Sequence, residues 1–191
     1  SGFRPDRALS VYVDMVKKSY PNTPVVIGGI EASLRRFAHY DYWSDIIMPS
    51  ILVDTQADML LYGMSESQIN TLAHGLAKGW PIHKIKDIPG TCYMSRSLPK
   101  GNKYTLISSF EEVSTEKIKF AEAFQIQSRE QNPFIGSTLV QKHGDLYLVQ
   151  LPPAKPLSQA EMDELYRLPF TRTYHPRYKN AGGVPALQEV E

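Results

Sequence analysis

The chain is nearly free of cysteine: Cys92 is the only one in 191 residues. One cysteine forbids an intrachain disulfide and cannot alone hold an iron–sulfur cluster or a structural zinc, and it fits a cytoplasmic setting. Long apolar runs are also missing. None approaches the roughly 18 to 20 residues that span a bilayer, and no basic-then-apolar signal segment opens the sequence, so no membrane partner is expected. Charge of one sign is absent too. With 21 basic and 20 acidic residues the net charge is +1, which leaves no electrostatic case for nucleic acid as a general partner. No G-x-G-x-x-G, G-x-x-x-x-G-K-[ST] or G-x-S-x-G motif occurs, nor any internal repeat or low-complexity tract.

What is present is an alternation of short strands, glycine turns and helices. Arg4-Pro5-Asp6 reads as a helix start, followed by Leu9, Tyr12, Val13 and Val16 on one apolar face. Thr23 to Ile27 is a β-branched run of the buried parallel-strand kind, ended by Gly28-Gly29. Asp58 to Tyr62 repeats that pattern and turns at Gly63. Ser65-Glu66-Ser67-Gln68 fits a capping box, with Ile69, Leu72, Ala73 and Leu76 as the helix stripe and Gly79 at its C-terminal cap. Ile88 to Tyr93 adds a short strand around Pro89-Gly90. This order predicts an α/β fold with a partial doubly wound, Rossmann-like parallel sheet over residues 1–94. From Ser95 the pattern changes, and residues 95–191 read as a smaller α+β region. Arg96 to Lys103 is a linker. Ser114 or Thr115 caps a helix to about Glu130, with Ile118, Ala121 and Phe124 or Gln125 on one side. Thr138 to Gln150 is a hairpin turning at His143-Gly144-Asp145. Ser158 to Arg167 is a helix with Ser158 and Glu161 as a capping box, and the chain is irregular from Leu168.

The densest chemistry lies in Val25 to Asp45. Gly28-Gly29 follows a strand, as a phosphate-binding turn would, although a tight turn needs no ligand to explain it. Glu31 and Arg35 pair at i, i+4 if Glu31 to Tyr40 is helical. Arg35 and Arg36 stand among Phe37, Tyr40, Tyr42 and Trp43, which suits stacking and carboxylate or phosphate contact as well as a solvated helix face. Gly28, Gly29, Glu31, Arg35, Arg36, His39, Tyr42 and Trp43 are therefore the candidate ligand-facing or interdomain residues. The spacing of His39, Asp41 and Asp45 is not that of a metal site. His74 and His83 read as surface or packed histidines, His143 as a turn residue, and Cys92 as a buried, inert thiol. A second cluster, Arg172, His175, Arg177 and Lys179 with Tyr174 and Tyr178, could bind an anion or a nucleic-acid backbone, or dock on a neighbouring domain through its tyrosines, and Pro176 and Gly182-Gly183 suit the docking segment. No catalytic residue and no metal ligand is assigned.

These segments resemble one family. VVIGGIEASLRRFAHYDYWSD with the preceding RPDRA, ILVDTQADMLLYGMSE, QNPF, LVQKHGDLYLVQLPPAKPL, YHPRY and the closing AGGVPALQEVE are similar to the YgiQ-type radical S-adenosylmethionine (radical SAM) proteins. In that family the segments precede a C-x-x-x-C-x-x-C motif whose thiolates hold a [4Fe–4S] cluster that binds S-adenosylmethionine. The resemblance implies an internal piece of a longer enzyme, inactive alone, whose cluster and S-adenosylmethionine are bound outside this chain. It implies the family's barrel as partner, with an unknown substrate. The first region also resembles the second half of a cobalamin-binding-type domain, but D-x-H-x-x-G is absent and cobalamin is not predicted. A different expectation is a stand-alone, non-catalytic α/β module recognising an anionic small molecule or a protein through the same stretch.

Overall fold

The computed structural model describes residues 6–100 and 103–188. Arg4, Pro5 and Gly101, named above in a helix start and a linker, and the last three residues of the closing motif lie outside them. The elements run α1 (Ala8–Ser19), β1 (Val26–Ile27), α2 (Gly29–Leu34), β2 (His39–Asp41), β3 (Ile46–Met48), α3 (Ile51–Thr55), β4 (Met59–Leu61), α4 (Glu66–Ala77), β5 (Thr91–Ser95), β6 (Tyr104–Ile107), α5 (Phe110–Thr115), α6 (Lys117–Arg129), β7 (Thr138–His143), β8 (Leu146–Gln150), α7 (Gln159–Arg167) and α8 (Pro185–Gln188). Contacts divide the chain into two compact units, 1–156 and 157–191.

In the first unit, six strands form one sheet in the order β1-β4-β5-β8-β7-β6. The pairs β1–β4 and β6–β7 are parallel; the other three are antiparallel. The α/β class stands, and the strands of the second region complete the sheet begun by the first. Strand alternation sorts the side chains into two layers. Ile27, Leu60, Cys92, Leu148 and Leu139 turn to one face, where Val13 of α1, Leu52 of α3, Val113 of α5 and Ala123 of α6 join them. Met59 and Leu61 turn to the other, against Leu72 of α4 and Ile82, Ile85 and Ile88. Val140 and Val149 continue that second face with Leu151.

Several elements depart from expectation for local reasons. β1 is two residues, not five. Of the first helix's apolar face only Val13 is buried, while Tyr12 and Val16 stay exposed. Ser65 makes no capping box; its hydroxyl donates back to the Tyr62 and Gly63 carbonyls, the local competition typical of serine. Neither Ser114 nor Thr115 caps the next helix. The capping box is Ser109 with Glu112 at the start of the separate α5, and the Ser114 and Thr115 hydroxyls, in its last turn, donate back to the Phe110 and Glu111 carbonyls. The buried side of α6 is Phe120, Ala123 and Ile126, whereas Ile118, Ala121 and Phe124 face outward. β2, β3 and β6 were not foreseen.

The second unit opens as expected, with Ser158 and Glu161 in a reciprocal capping box on α7. It continues through a 3₁₀ turn at Pro176–Ala181 and buries no side chain fully in α7 or in that turn.

Candidate functional site

Gly28 to Asp45 does not continue as one helix to Tyr40. After Gly28, an extended residue, Gly29 takes φ +84°, a left-handed backbone that favours glycine, and α2 ends at Leu34. The chain then plunges inward through Phe37 and Ala38, both buried, and returns as the β2–β3 hairpin.

The interior of this stretch is held by residues far away in sequence. Gln141 and Gln150 sit on inward positions of β7 and β8, and both are fully buried. The Gln150 side-chain oxygen accepts from Arg36 Nε at 2.6 Å, and the Gln141 side-chain oxygen accepts from the Ala38 N–H at 2.9 Å. Arg36 also donates to the Ser33 carbonyl, and its guanidinium lies 5.1 Å from the Tyr62 ring centre and 5.7 Å from that of Phe37. Among the described residues no carboxylate pairs with it. Neutral amide oxygen, a backbone carbonyl and two aromatic faces therefore receive this cation, a set that suits guanidinium and not ammonium.

Arg35 does meet Glu31 at i, i+4, at 3.2 Å, and lies 3.9 Å from Asp41. Asp41 is buried and accepts from Arg7 at 2.8 Å, from the Ser44 hydroxyl, and from the Ser44 N–H at 3.1 Å. The Ser44 hydroxyl first, then its N–H and Arg7, hold the Asp41 carboxyl down to about 2. His39 is half-buried, with Nδ1 3.1 Å from the Phe37 carbonyl. Burial holds its imidazole below the ordinary value, and the Arg35 charge acts the same way against the Phe37 contact. Asp45 accepts from the Tyr40 hydroxyl at 2.7 Å. The polar groups of the stretch thus satisfy one another, and no group of three metal-ligating side chains forms among the described residues.

Much of what faces outward is apolar or aromatic, beside the exposed Ser44 and Asp45. Tyr42 and Trp43 stack at 4.4 Å on the hairpin tip, and Trp43 is 64% exposed. Ile30, Leu34, Tyr40 and Ile46 are exposed as well. A groove of about 1000 Å³ runs between the hairpin and α5–α6, lined by apolar and aromatic residues such as Tyr40, Ile46, Phe110 and Phe120 together with the polar Asp45, Glu111, Ser114, Thr115 and Lys117. A smaller pocket of about 220 Å³ opens on the other side of Tyr40, with Arg36, His39, Phe124 and Gln141 among its walls. Gly28 and Gly29 line a separate apolar groove beside α4.

The remaining candidates fall outside this surface. Cys92 is buried, and burial pushes its thiol up to about 12, so it offers no thiolate to a cluster. His74 and His83 are on the surface. His143 is not explained by its turn: it is the buried last residue of β7, stacked on Phe110 at 5.5 Å. Arg172 donates to the Tyr166 carbonyl at 2.7 Å and Arg177 lies over Tyr178, both within the second unit. Sequence reasoning missed Gln141, Gln150 and His143, although the alternation of LVQKH and LYLVQ places all three on inward positions.

Among the described residues no helix is long and apolar enough to cross a membrane. No solved structure matches the chain. The family model described as Radical SAM N-terminal matches residues 1–191. A UPF0313 protein of Clostridium botulinum (strain 657 / Type Ba4) is 53% identical over the whole chain, which covers 30% of that relative. A UPF0313 protein of Clostridium perfringens (strain 13 / Type A) is 50% identical over the whole chain and 29% of its own length. The chain thus spans less than a third of the curated relatives it matches, and over its full length it belongs to the radical SAM N-terminal family.

Proposed function

We propose that this chain is the region before the catalytic barrel of a cytoplasmic radical SAM iron–sulfur enzyme, and that the β2–β3 hairpin with the groove beside it docks on that barrel and shapes access to its substrate. The observation that carries this reading is the outward face of Gly28 to Asp45: stacked Tyr42 and Trp43 on the hairpin tip, with Tyr40, Leu34 and Ile46 also exposed, while buried glutamines hold Arg36 and Ala38 in the segment that leads into the hairpin. Exposed aromatic area on a rigid support is what a protein interface uses, because little conformational entropy is lost when it is covered.

A [4Fe–4S] cluster and S-adenosylmethionine would be held elsewhere in the longer protein. The only thiol here is buried and protonated, so the residues of this chain do not fit a cluster. A stand-alone module binding an anion is less well supported, since Arg35 and Arg36 turn their donors to Glu31, Gln150 and Ser33. The Arg172, His175 and Arg177 cluster fits a docking segment for the same longer protein.

The test replaces Tyr42 and Trp43 together by alanine in the full-length protein. Both side chains are exposed in this chain, so its melting temperature should move by less than about 2 °C. Cluster absorbance after reconstitution with iron and sulfide should be retained, while reductive cleavage of S-adenosylmethionine should fall about tenfold or more as the barrel mouth loses its cover. Unchanged cleavage in the double variant would overturn the docking role, and cluster absorbance in this chain alone would overturn the assignment of the cofactor to the missing part.

A further inference from the structure

We propose that the sheet continues past β1 in the full-length protein: a further strand, with its helix, from a part of the same polypeptide outside this chain pairs with the outer edge of β1 and fills the groove beside α4. This surface is separate from the hairpin face.

β1 is built like an interior strand but stands at the margin. It runs parallel to β4, with Val26 opposite Met59 and Ile27 opposite Leu60, and no described strand lies on its other side. Its side chains serve both layers: Val25 and Ile27 pack into the core under α1 and α3, and Val26 packs with Met59 and Leu61 under α4. Parallel strands with apolar residues on both faces are normally enclosed. Val25 accepts from the Asp58 N–H at 2.8 Å and so turns its polar backbone to β4. By alternation Val26 turns its N–H and C=O to the open side, and since Pro24 has no N–H, pairing would begin at Val26.

The layer above is unfinished at the same margin. A groove of about 390 Å³ lies between Val26, Ile27 and Gly28 on one wall and Ile69, Ala73 and Leu76 of α4 on the other. Among the described residues no charged one lines it. Ile69 is 58% exposed there, and Ala73 is exposed beside it. A helix flanking the end of a sheet would carry polar residues at those positions. The apolar stripe is wider than the contact this chain makes, which is the pattern of a helix with a second helical neighbour.

The occupant follows from geometry and length. A parallel strand reaches its place by a crossover of a dozen or more residues, usually a helix in the same chain. The curated relatives offer ample chain, as residues 1–191 cover only 30% of them. A second copy fits poorly: a two-fold axis normal to the sheet would set one β1 antiparallel to the other, and either way only two-residue strands would pair.

Hydrogen exchange of the wild-type full-length protein and of this chain tests the pairing. The Val26 amide should be protected at least about 100-fold more in the full-length protein. Ile69→Lys tests the groove. It should shift the melting temperature of this chain by less than about 2 °C but that of the full-length protein by about 5 °C or more, with Ile69→Leu restoring it. Equal exchange of Val26 in both proteins, or equally small shifts, would overturn the proposal, as would a concentration-dependent dimer of this chain that Ile69→Lys disperses. The Tyr42 and Trp43 double variant reports on the other face, so the two readings fail separately.

Discussion

Replacing Arg36 by alanine should cost this chain about 3 kcal/mol of unfolding free energy, seen as a lower urea midpoint at unchanged slope. The guanidinium is the donor for the buried Gln150 side-chain oxygen and for the Ser33 carbonyl. Truncation leaves the buried Gln150 oxygen and the half-buried Ser33 carbonyl without this donor, at about 1 to 3 kcal/mol each. It also removes the cation from the faces of Tyr62 and Phe37, each contact being worth roughly 0.5 to 2 kcal/mol. Against these losses stands the relief of a partly buried charge with no carboxylate partner among the described residues, which is why the sum stays near 3 and not 6. Arg36→Lys should recover less than half, since an ammonium cannot span Gln150 and Ser33 while lying flat on a ring. A double-mutant cycle with Gln150→Ala should return a coupling above about 1 kcal/mol. A loss below about 1 kcal/mol for Arg36→Ala would show that the guanidinium is a solvated surface group.

The same residue shows what the sequence could and could not reveal. LRRFAHYDYW announces aromatic and cationic groups together, and that clustering is real. Which arginine turns inward was not legible, because the deciding partner lies 114 positions away. Local signals fared better where the local chain supplies its own partner. Ser158 with Glu161, the hairpin through Gly144 and the Glu31–Arg35 pair are all formed. α6 illustrates the limit of periodicity. Phe120-Ala123-Ile126 and Ile118-Ala121-Phe124 are both apolar stripes at helical spacing, and only the sheet decides that the first is covered. The uncovered stripe, like Trp43 and Ile69, suits a chain that meets further protein, in keeping with its share of its relatives' length.

Acid should unfold this chain earlier than its carboxylates require, and His143 is the cause. Its Nε2 lies 3.2 Å from the Gln141 side-chain oxygen. That oxygen accepts, since the Gln141 amide nitrogen donates to the Ser108 carbonyl at 3.0 Å. The neutral ring therefore carries its proton on Nε2, and Nδ1 is buried with no hydrogen-bond partner among the described residues. A second proton would have to go to Nδ1, where no described group accepts a hydrogen bond from it. Burial accordingly lowers the imidazole from 6.5 to about 4, and the nearby Glu111 carboxylate offsets only part of this. The sign follows. The unfolded chain takes up this proton near pH 6.5 and the folded chain only near 4, so stability is full above about pH 7 and falls as pH drops between those values. At about 1.4 kcal/mol per pH unit, the loss reaches about 3 kcal/mol by pH 4. Asp41, held down to about 2 from 3.8, loses its contribution only below about pH 4, so the two windows separate. His39, lowered in the same direction, adds a smaller slope to the upper window. His143→Gln keeps a donor for Gln141 and does not titrate. It should unfold about 1 to 2 kcal/mol more easily at pH 7, yet lose about one proton of uptake between pH 6.5 and 4, measured as the slope of urea stability against pH. A variant whose slope matches wild type would show that the imidazole charges without penalty in the folded chain, and that the stack on Phe110 is not its enclosure.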